Sequence, residues 1–411
     1  MNKNVYTFIG CDCEYEDARI VLFGAPYDST TSFRPGTRFA SSAMRNESFG
    51  IETYSPYQDK DLLDINVFDS GDLELPFGDP SQALNDIEEC TEEILNGDNH
   101  HPRVMMQVFT RENVVVCGID ETIALIKTCA HNPENITIHA LHDGDEVKPW
   151  ETLMTIEGDL ADFAHLETVY LGILARQSRI ATNVRRTVEA ANGKPVLFFP
   201  ARYDTWQTQE CDGYAAKIGG IKGFSTDANA LASGGKGLGT IPHALIASYN
   251  GNTVAATEAF DKYVDPKIAR IALVDFDNDC VNTSLAVARK LGKNLAGVRL
   301  DTSGTMVDKS LLGQLGMFNP TGVCKELVWN VRRALDAEGF DYVKIIVSGG
   351  FNPARICEFE AAGVPVDTYA VGSSLFDGNI NFTADIVMVD GKECAKQGRR
   401  HLPNPRLELV D

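Results

Sequence analysis

Two glycine-rich loops late in the chain have the composition of a phosphate-binding site. One follows the apolar stretch 343–347 and the other follows the apolar stretch 368–371. Glycine and serine expose backbone N–H groups and hydroxyls, so an anion can approach the main chain closely. The predicted phosphate-binding residues are Ser348, Gly349, Gly350, Gly372 and Ser373. Two such loops after consecutive strands predict a site for a phosphorylated small molecule.

Two arginines and an aspartate lie near the ends of two further apolar stretches. Arg202 follows the stretch 196–199, and Arg299 lies within the stretch 295–300. A guanidinium can bind a phosphate or a carboxylate through two parallel hydrogen bonds. Asp301 follows Arg299 by two residues, so both side chains lie on the same side of an extended segment. Asp301 suits a contact to a ribose hydroxyl or to a Mg²⁺-bound water.

Five apolar stretches of strand length must position these residues. They are separated by segments of helical character, and each ends in a loop that contains glycine or polar residues. Strands that alternate with helices form a parallel sheet, and functional sites of such sheets lie at the carboxyl ends of the strands. The stretches are 196–199, 271–274, 295–300, 343–347 and 368–371. The sequence therefore predicts an α/β protein with a barrel-like parallel sheet.

Length and charge limit the classes of function. The chain has 411 residues and a net charge of −21, which argues against a nucleic acid or an anionic membrane as partner. No apolar run approaches the roughly 18 residues of a membrane span. Ten cysteines lack the spacing of a metal site, which is typical of free thiols in a reducing cytoplasm.

The first quarter of the chain differs in composition from the rest. Residues 1–99 contain 20 acidic and 6 basic side chains, and the other residues are close to balanced. A turn-rich stretch at residues 96–102 follows an amphipathic helix predicted over residues 83–95. We therefore predict a domain boundary near residue 100.

Three segments of this first quarter, 25–38, 51–57 and 69–73, resemble the ureohydrolase family, which includes agmatinase and arginase. The resemblance covers about residues 15–96. Ureohydrolases hydrolyse guanidines at a two-manganese centre that requires an Asp-x-His-x-Asp cluster. The chain contains no Asp-x-His-x-Asp. Residues 1–99 are therefore predicted to be a ureohydrolase-like α/β fragment without chemistry of its own.

Nine motifs in the remainder occur in the order of another family. From about residue 104 onward the chain resembles nicotinate phosphoribosyltransferase, within a group that includes the quinolinate and nicotinamide enzymes. The resemblance implies an incomplete α/β barrel of the type II phosphoribosyltransferase kind over residues 166–380. It also implies a smaller α/β sandwich domain assembled from residues 100–165 and 381–411. The motifs are 147–152, 166–172, 178–183, 199–202, 225–229, 239–243, 299–304, 348–350 and 372–373.

The resemblance implies that nicotinate and phosphoribosyl pyrophosphate give nicotinate mononucleotide for NAD salvage in the cytoplasm, with Mg²⁺ and with ATP as an assisting substrate. Transfer proceeds through a cationic sugar centre, and the pyridine nitrogen already has a free lone pair. The enzyme must therefore supply anion binding and positioning rather than a general base. No side chain is predicted to bind a metal directly.

Roles for single residues follow from the same resemblance. His243 is the histidine that ATP phosphorylates in the family, and its imidazole is a competent nucleophile at neutral pH. Phe199 would stack on the nicotinate ring. Ala228 stands where nicotinamide-using relatives carry an acidic residue, and a neutral side chain there suits a carboxylated substrate. The predicted catalytic residues are His243, Arg299 and Asp301, and the predicted substrate-binding residues are Phe199, Arg202, Thr226, Ala228 and Thr240.

The family's own N-terminal segment has no counterpart here. In relatives it supplies strands of the sandwich domain and an aromatic residue that reaches a neighbouring subunit, so a homo-oligomer is expected. The ureohydrolase-like fragment occupies its place, which makes the activity of the full chain depend on that replacement. Three alternatives stay open: a quinolinate phosphoribosyltransferase, a manganese ureohydrolase fragment fused to an inactive barrel, and a non-catalytic protein whose acidic first quarter binds a basic partner.

Overall fold

The computed structural model describes residues 4–29, 31, 34–97, 101–238 and 240–410, with the side chains of 95–97 left out. The chain forms two compact units, Met1–His101 and Pro102–Asp411. Positions 30, 32 and 33 of the ureohydrolase-like segment, Gly239, and residues 98–100 of the turn-rich stretch lie outside the described residues.

The first unit is a small α/β fold around two parallel strands. Its strands are β1 (Ile20–Gly24), β2 (Tyr54–Ser55), β3 (Lys60–Asp61) and β4 (Val67–Asp72), and its helices are α1 (Ala40–Ser48) and α2 (Pro80–Gly97). Strands β1 and β4 pair in parallel, with Ile20 opposite Val67. The buried Arg45 of α1 donates from Nε and Nη2 to the carboxylate of Asp69, both at 2.8 Å. This ion pair fixes α1 on the end of β4. The amphipathic helix predicted over residues 83–95 lies within α2.

The second unit contains the other strands and helices. The strands are β5 (Arg103–Thr110), β6 (Val114–Val115), β7 (Thr137–Ala140), β8 (Glu146–Val147), β9 (Thr152–Asp159), β10 (Val196–Phe198), β11 (Gly223–Phe224), β12 (Arg270–Leu273), β13 (Leu295–Leu300), β14 (Lys344–Val347), β15 (Thr368–Val371), β16 (Phe382–Val389), β17 (Lys392–Glu393) and β18 (Glu408–Leu409). The helices are α3 (Ile119–Cys129), α4 (Leu160–Phe163), α5 (Glu167–Ala190), α6 (Gln209–Gly219), α7 (Asp227–Ala230), α8 (His243–Ser248), α9 (Thr253–Tyr263), α10 (Cys280–Leu291), α11 (Lys325–Ala337) and α12 (Pro353–Ala361).

A six-stranded parallel sheet is the main layer of this unit. Its strand order is β11-β10-β15-β14-β13-β12. The two outer strands, β11 and β12, do not pair with each other, so the sheet is an incomplete barrel. All five apolar stretches identified in the sequence form strands of this sheet. Strand β11, with only two residues, was not predicted.

A second, six-stranded sheet is built from both ends of the unit. Its order is β17-β16-β5-β9-β7-β18, and its strands are antiparallel. Strand β16 pairs along β5, from Phe382 opposite Thr110 to Val389 opposite Val104. The inward faces bury an apolar core that includes Val108 and Met154. The α/β fold class is confirmed, with a partial barrel and a smaller sandwich.

Helix α5 belongs to the cores of both sheets. Tyr170 and Leu174, in its first half, are buried in the core of the antiparallel sheet. Ile180 and Val184, in its second half, are buried in the core of the parallel sheet. The predicted boundary at residues 165 and 166 therefore precedes a helix that both cores share, and it stays a prediction. Among the described helices, none has the length and apolar character needed to cross a bilayer.

Candidate functional site

A cavity of about 430 Å³ opens at the carboxyl ends of the parallel strands. It is formed by the loops after β10, β11, β13, β14 and β15 and by the segment that enters α8. Its lining residues are Phe199, Arg202, Tyr203, Ser225, Thr240, Pro242, His243, Arg299, Asp301, Ser348, Gly349, Gly350, Phe351, Ala370, Gly372 and Ser373. The structure therefore brings together the predicted site residues, apart from Thr226 and Ala228.

Strand pairing explains why the side chain of Arg299 faces this cavity. Val298 and Leu300, its neighbours on β13, are buried in the core of the parallel sheet. Side chains alternate between the two faces of a strand, so Arg299 points to the opposite face. Its partner across the register is Ile346 of β14, which packs on that opposite face with Leu197. The guanidinium of Arg299 thus lies inside the barrel, next to the apolar side chains of Leu197 and Ile346.

The loop after β14 has a backbone shape that requires glycine. Gly349 and Gly350 have φ angles of +84° and +75°, in the left-handed region that costs other residues roughly 1–2 kcal/mol. The hydroxyl of Ser348 donates to a carboxylate oxygen of Asp301 at 2.7 Å. A Cβ added to Gly372 would lie 3.2 Å from a ring carbon of Tyr203. The main chain of both loops is therefore open to the cavity.

Arg299 is a buried cation with few partners. It is 8% exposed, and among the described residues its Nε has no hydrogen-bond partner. Nη2 donates to the carbonyl of Ile241 at 3.4 Å, and Nη1 lies 3.8 Å from a carboxylate oxygen of Asp301. Burial lowers the pKa of the guanidinium, while the charges of Asp301 and Asp275 act in the opposite direction. Such a group is suited to receive an anionic ligand.

His243 forms a pair with an aspartate that the sequence analysis left without a role. Its Nε2 lies 3.1 Å and 3.2 Å from the two carboxylate oxygens of Asp275. Burial raises the pKa of the Asp275 carboxyl; His243 lowers it and the charge of Asp301 raises it further. The other ring nitrogen, Nδ1, has no hydrogen-bond partner among the described residues. The sequence feature that could have identified Asp275 is its position directly after the apolar stretch 271–274.

The loop after β10 forms the aromatic wall of the cavity. The guanidinium of Arg299 lies 5.9 Å from the ring centre of Phe199. Arg202 is exposed and lies over the ring of Tyr203 at 5.5 Å. The loop is tied to α5 because Arg176 pairs with Asp204 at 2.8 Å. Phe199 and Tyr203 thus offer apolar surface beside two cations, which suits a flat, anionic ring.

Thr226 and Ala228 lie outside this lining. The Thr226 hydroxyl caps α7 by accepting from the N–H of Asn229 at 3.2 Å, and it donates to the side chain of Gln209 at 3.0 Å. Ala228 is exposed on α7. Their predicted contacts with substrate stay predictions, and the geometry gives Thr226 a structural task.

Comparison with known proteins finds two kinds of relative, and the first match begins in the first unit and extends into the second. Residues 18–142 match the Arginase family. Over 88 residues the chain is 51% identical to agmatinase of Bacillus subtilis (strain 168), which covers 21% of this chain and 30% of that protein. Over 282 residues it is 30% identical to a nicotinate phosphoribosyltransferase of Mycobacterium tuberculosis, which covers 65% of this chain and 57% of that protein. The chain thus spans less than two thirds of either curated relative.

Solved structures resemble the larger part of the chain. The nicotinate-nucleotide pyrophosphorylase of Pyrococcus furiosus superposes with a TM-score of 0.66 at 33% identity, covering 78% of this chain and 80% of that one. Human nicotinic acid phosphoribosyltransferase superposes with a TM-score of 0.55 at 15% identity, covering 75% and 74%, and shows the shared fold. Both resemblances inferred from the motifs are confirmed. The chain belongs, over the larger part of its length, to the family of the nicotinate-nucleotide pyrophosphorylase of Pyrococcus furiosus, and its first quarter is similar to part of agmatinase.

Proposed function

We propose that the chain transfers the phosphoribosyl group of phosphoribosyl pyrophosphate to nicotinate, giving nicotinate mononucleotide and pyrophosphate. The supporting observation is that one cavity holds two glycine loops, the buried cation Arg299 and the ring of Phe199. These features match the phosphate, the carboxylate and the aromatic ring of the reactants. The curated relative from Mycobacterium tuberculosis has this activity in its name.

Each part of the cavity has a task in this reaction. The 5′-phosphate binds to the N–H groups of Gly350 and Phe351 and to the loop at Ser373, where backbone donors can surround its oxygens. Nicotinate lies against Phe199, with its carboxylate directed to Arg202 or Arg299. The ring nitrogen then faces the anomeric carbon of the sugar. Bond breaking is favoured because positioned donors stabilise the leaving pyrophosphate.

Mg²⁺ fits the residues on this side of the cavity. Asp301 has one carboxylate oxygen bound to Ser348 and the other 3.8 Å from Arg299. Proteins usually bind Mg²⁺ through one or two carboxylates together with substrate phosphates and waters, so a preformed cage of side chains is not required. The ion would neutralise charge on the pyrophosphate. Asp301 would orient the waters of that ion and a ribose hydroxyl.

ATP is proposed to act through His243. The pair with Asp275 fixes the imidazole and occupies Nε2, which leaves Nδ1 as the nitrogen able to accept a phosphoryl group. The carboxylate on the far nitrogen also holds the ring in one orientation. We therefore expect the protein to carry a phosphohistidine while it turns over. We also propose that it works as a homo-oligomer in the cytoplasm.

The test is an assay of the purified full chain with nicotinate, phosphoribosyl pyrophosphate, Mg²⁺ and ATP. Nicotinate mononucleotide should form, and His243→Ala should remove the stimulation by ATP. His142→Ala is a matched control because His142 is also exposed and lies 3.1 Å from a carboxylate, that of Glu408. Folded protein that forms no product would show that the proposed activity is wrong.

Quinolinate phosphoribosyl transfer is a second candidate. It is favoured by the 33% identity to the nicotinate-nucleotide pyrophosphorylase of Pyrococcus furiosus. Quinolinate has two carboxylates and must lose CO₂, so its site needs a denser group of cations. Among the described lining residues, the permanent cations are Arg202 and Arg299, which suits one carboxylate and one phosphate. Release of CO₂ from quinolinate, with no product from nicotinate, would decide for this candidate.

The first unit offers a third activity to test. Its relatives from Bacillus subtilis and Bacillus anthracis are agmatinases, but the chain lacks Asp-x-His-x-Asp. Within the described part of residues 1–101, no three His, Cys, Asp or Glu side chains converge as metal ligands. Urea release from agmatine with added Mn²⁺ would show that this unit has agmatinase activity of its own.

A further inference from the structure

The loop after β14 is held from behind by an arginine of α12. The Nη1 atom of Arg355 donates to the carbonyl of Gly349 at 3.1 Å and to the carbonyl of Gly350 at 3.4 Å. Its Nη2 donates to the carbonyl of Val323 at 2.8 Å. One planar cation thus joins the glycine loop to the segment that precedes α11.

These contacts fix the direction of two N–H groups. The described peptide bonds are trans, and in a planar trans peptide the C=O of one residue and the N–H of the next point in opposite directions. Because Gly349 and Gly350 turn their carbonyls towards Arg355, the N–H groups of Gly350 and Phe351 point away from it. No described backbone carbonyl accepts a hydrogen bond from either group.

Arg355 lies outside the lining of the substrate cavity, whereas the loop itself lines it. Gly349, Gly350 and Phe351 line the 430 Å³ cavity, and Arg355 is not among its lining residues. Arg355 instead lines a separate cavity of about 480 Å³ with Cys324. The two N–H groups that point away from the guanidinium belong to residues that line the substrate cavity, so they are available to a ligand bound there.

Neighbouring contacts hold the arginine and the loop in place. The guanidinium lies over the ring of Phe351 at 4.5 Å and over the ring of Phe359 at 5.8 Å. The next carbonyl of the loop, that of Phe351, accepts from the hydroxyl of Ser374 at 2.8 Å. Three consecutive carbonyls are thus held by side-chain donors, so the loop is shaped before a ligand binds.

We propose that Arg355 is a positioning residue for phosphate binding: it holds the carbonyls of Gly349 and Gly350 so that two N–H donors face the phosphate of the bound ligand. Arg355 does not touch that ligand. The inference rests on the proposed function for the identity of the ligand, a phosphoribosyl group. In physical terms, the loop after β14 binds a phosphate monoester only in the conformation that Arg355 imposes.

The test measures binding and turnover separately. Affinity for ribose 5-phosphate is measured by calorimetry, and KM and kcat are measured for phosphoribosyl pyrophosphate and for nicotinate. Arg355→Met should weaken ribose 5-phosphate binding and raise the KM for phosphoribosyl pyrophosphate about tenfold, equivalent to about 1.4 kcal/mol. The KM for nicotinate should change by less than about twofold, because Arg355 is remote from the ring. Arg355→Lys should give an intermediate effect, since an ammonium lacks the planar fork of the guanidinium.

Arg332→Met is the matched control. Arg332 also donates to two main-chain carbonyls, those of Val343 at 2.7 Å and Phe340 at 2.9 Å. These lie before β14, at the end of the strand opposite to the glycine loop. Arg332→Met should lower thermal stability and leave ribose 5-phosphate affinity unchanged. If both substitutions weaken that affinity equally, Arg355 has only a structural role and the proposal is wrong.

Binding distinguishes this inference from the proposed activity. If the wild-type chain binds ribose 5-phosphate but forms no nucleotide, the proposed activity fails, and weaker binding in Arg355→Met, with an intermediate effect in Arg355→Lys, still supports the positioning role. If folded Arg355→Lys and Arg355→Met bind ribose 5-phosphate as wild type does, the positioning role fails whatever the activity. If the wild-type chain does not bind ribose 5-phosphate, the loop is not a phosphate site and both proposals fall.

Discussion

The imidazole of His243 and the carboxylate of Asp275 face each other at 3.1 Å, although 32 residues separate them in the chain. His243 begins α8, and Asp275 follows β12. The carboxylate is 7% exposed, whereas the side chain of His243 is about half exposed, at 48%. A buried carboxyl group thus holds an accessible ring in one orientation at the edge of the cavity.

Replacing Asp275 with asparagine should separate ATP use from phosphoribosyl transfer. Asp275→Asn keeps the size of the side chain but removes the carboxylate that orients the imidazole. Stimulation by ATP should fall about 10-fold to 100-fold, a usual cost of losing the partner of a functional imidazole. Turnover without ATP should change little. The measurement is the initial rate with and without ATP, and equal stimulation in variant and wild type would contradict the assigned pairing.

The same substitution should change how stability depends on pH. Burial raises the pKa of Asp275, so the fold favours the protonated carboxyl. The stabilising contribution is fully present below the ordinary aspartate pKa of about 3.9 and is lost as pH rises through the raised value. The Tm of Asp275→Asn minus that of wild type should therefore grow from about pH 4 to pH 7. A difference that shrinks over this range would mean that the contact with His243, and not burial, decides the direction in which the pKa of Asp275 shifts.

Arg299 is expected to lower the stability of the ligand-free protein and to strengthen the binding of anionic ligands. Burial lowers the pKa of the guanidinium, so the fold disfavours its charged form. The guanidinium nevertheless stays charged over the pH range in which the protein can be assayed. Arg299→Met should raise the free energy of unfolding of the ligand-free protein by about 1 kcal/mol, because a buried charge with poor partners is replaced by an apolar chain. Binding of pyrophosphate and nicotinate should fall at least about tenfold.

Arg299→Lys provides the contrast for that experiment. Lysine keeps the charge, so no gain in stability is expected, but it cannot form two parallel hydrogen bonds to an anion. Thermal unfolding and calorimetry on the three proteins give both quantities. A lower stability of Arg299→Met than of wild type would show that the contact with Asp301, at 3.8 Å, already offsets the cost of burying the cation.

Alanine at Gly349 should reduce stability and phosphate affinity together. The φ angle of Gly349 is +84°, so Gly349→Ala should cost roughly 1–2 kcal/mol of stability through backbone strain. The strained loop should also bind ribose 5-phosphate more weakly. Gly378→Ala is the control: its φ is +73° and an added Cβ has nothing within 4 Å, but Gly378 does not line the cavity. Equal affinity for ribose 5-phosphate in the two variants would show that the loop is not part of the binding site.

The sequence predicted the strands and the glycine loops because both depend on local patterns, whereas Phe199, Thr240 and His243 were assigned to the site by the family resemblance. Each of the five apolar stretches is long enough to read as a buried strand, and the glycines after β14 and β15 mark where the backbone must stay open. The carboxyl ends of parallel strands meet at one edge of a sheet, so residues as distant as Phe199 and Ser373 were expected to converge. Register then placed Arg299 on the inner face.

What the sequence missed depends on partners that are distant in the chain. Asp275 is one acidic residue among many until α8 brings His243 to it. Arg355 has no local pattern that distinguishes it from a solvated helix residue, since its role comes from carbonyls in the preceding loop. Thr226 shows the converse. Its hydroxyl has the spacing of a helix cap to Asn229, and that local task was overlooked in favour of a substrate contact.

The antiparallel sheet also bears on how such a chain can change in evolution. Strands β5, β7 and β9 precede the parallel sheet in the chain, β16, β17 and β18 follow it, and α5 has one half in each core. A junction between β5 and β16 would divide strands that pair with each other. By contrast, a junction near His101 and Pro102 leaves the ladder between β5 and β16 intact. A different segment before that junction is therefore compatible with every strand pair of the second unit.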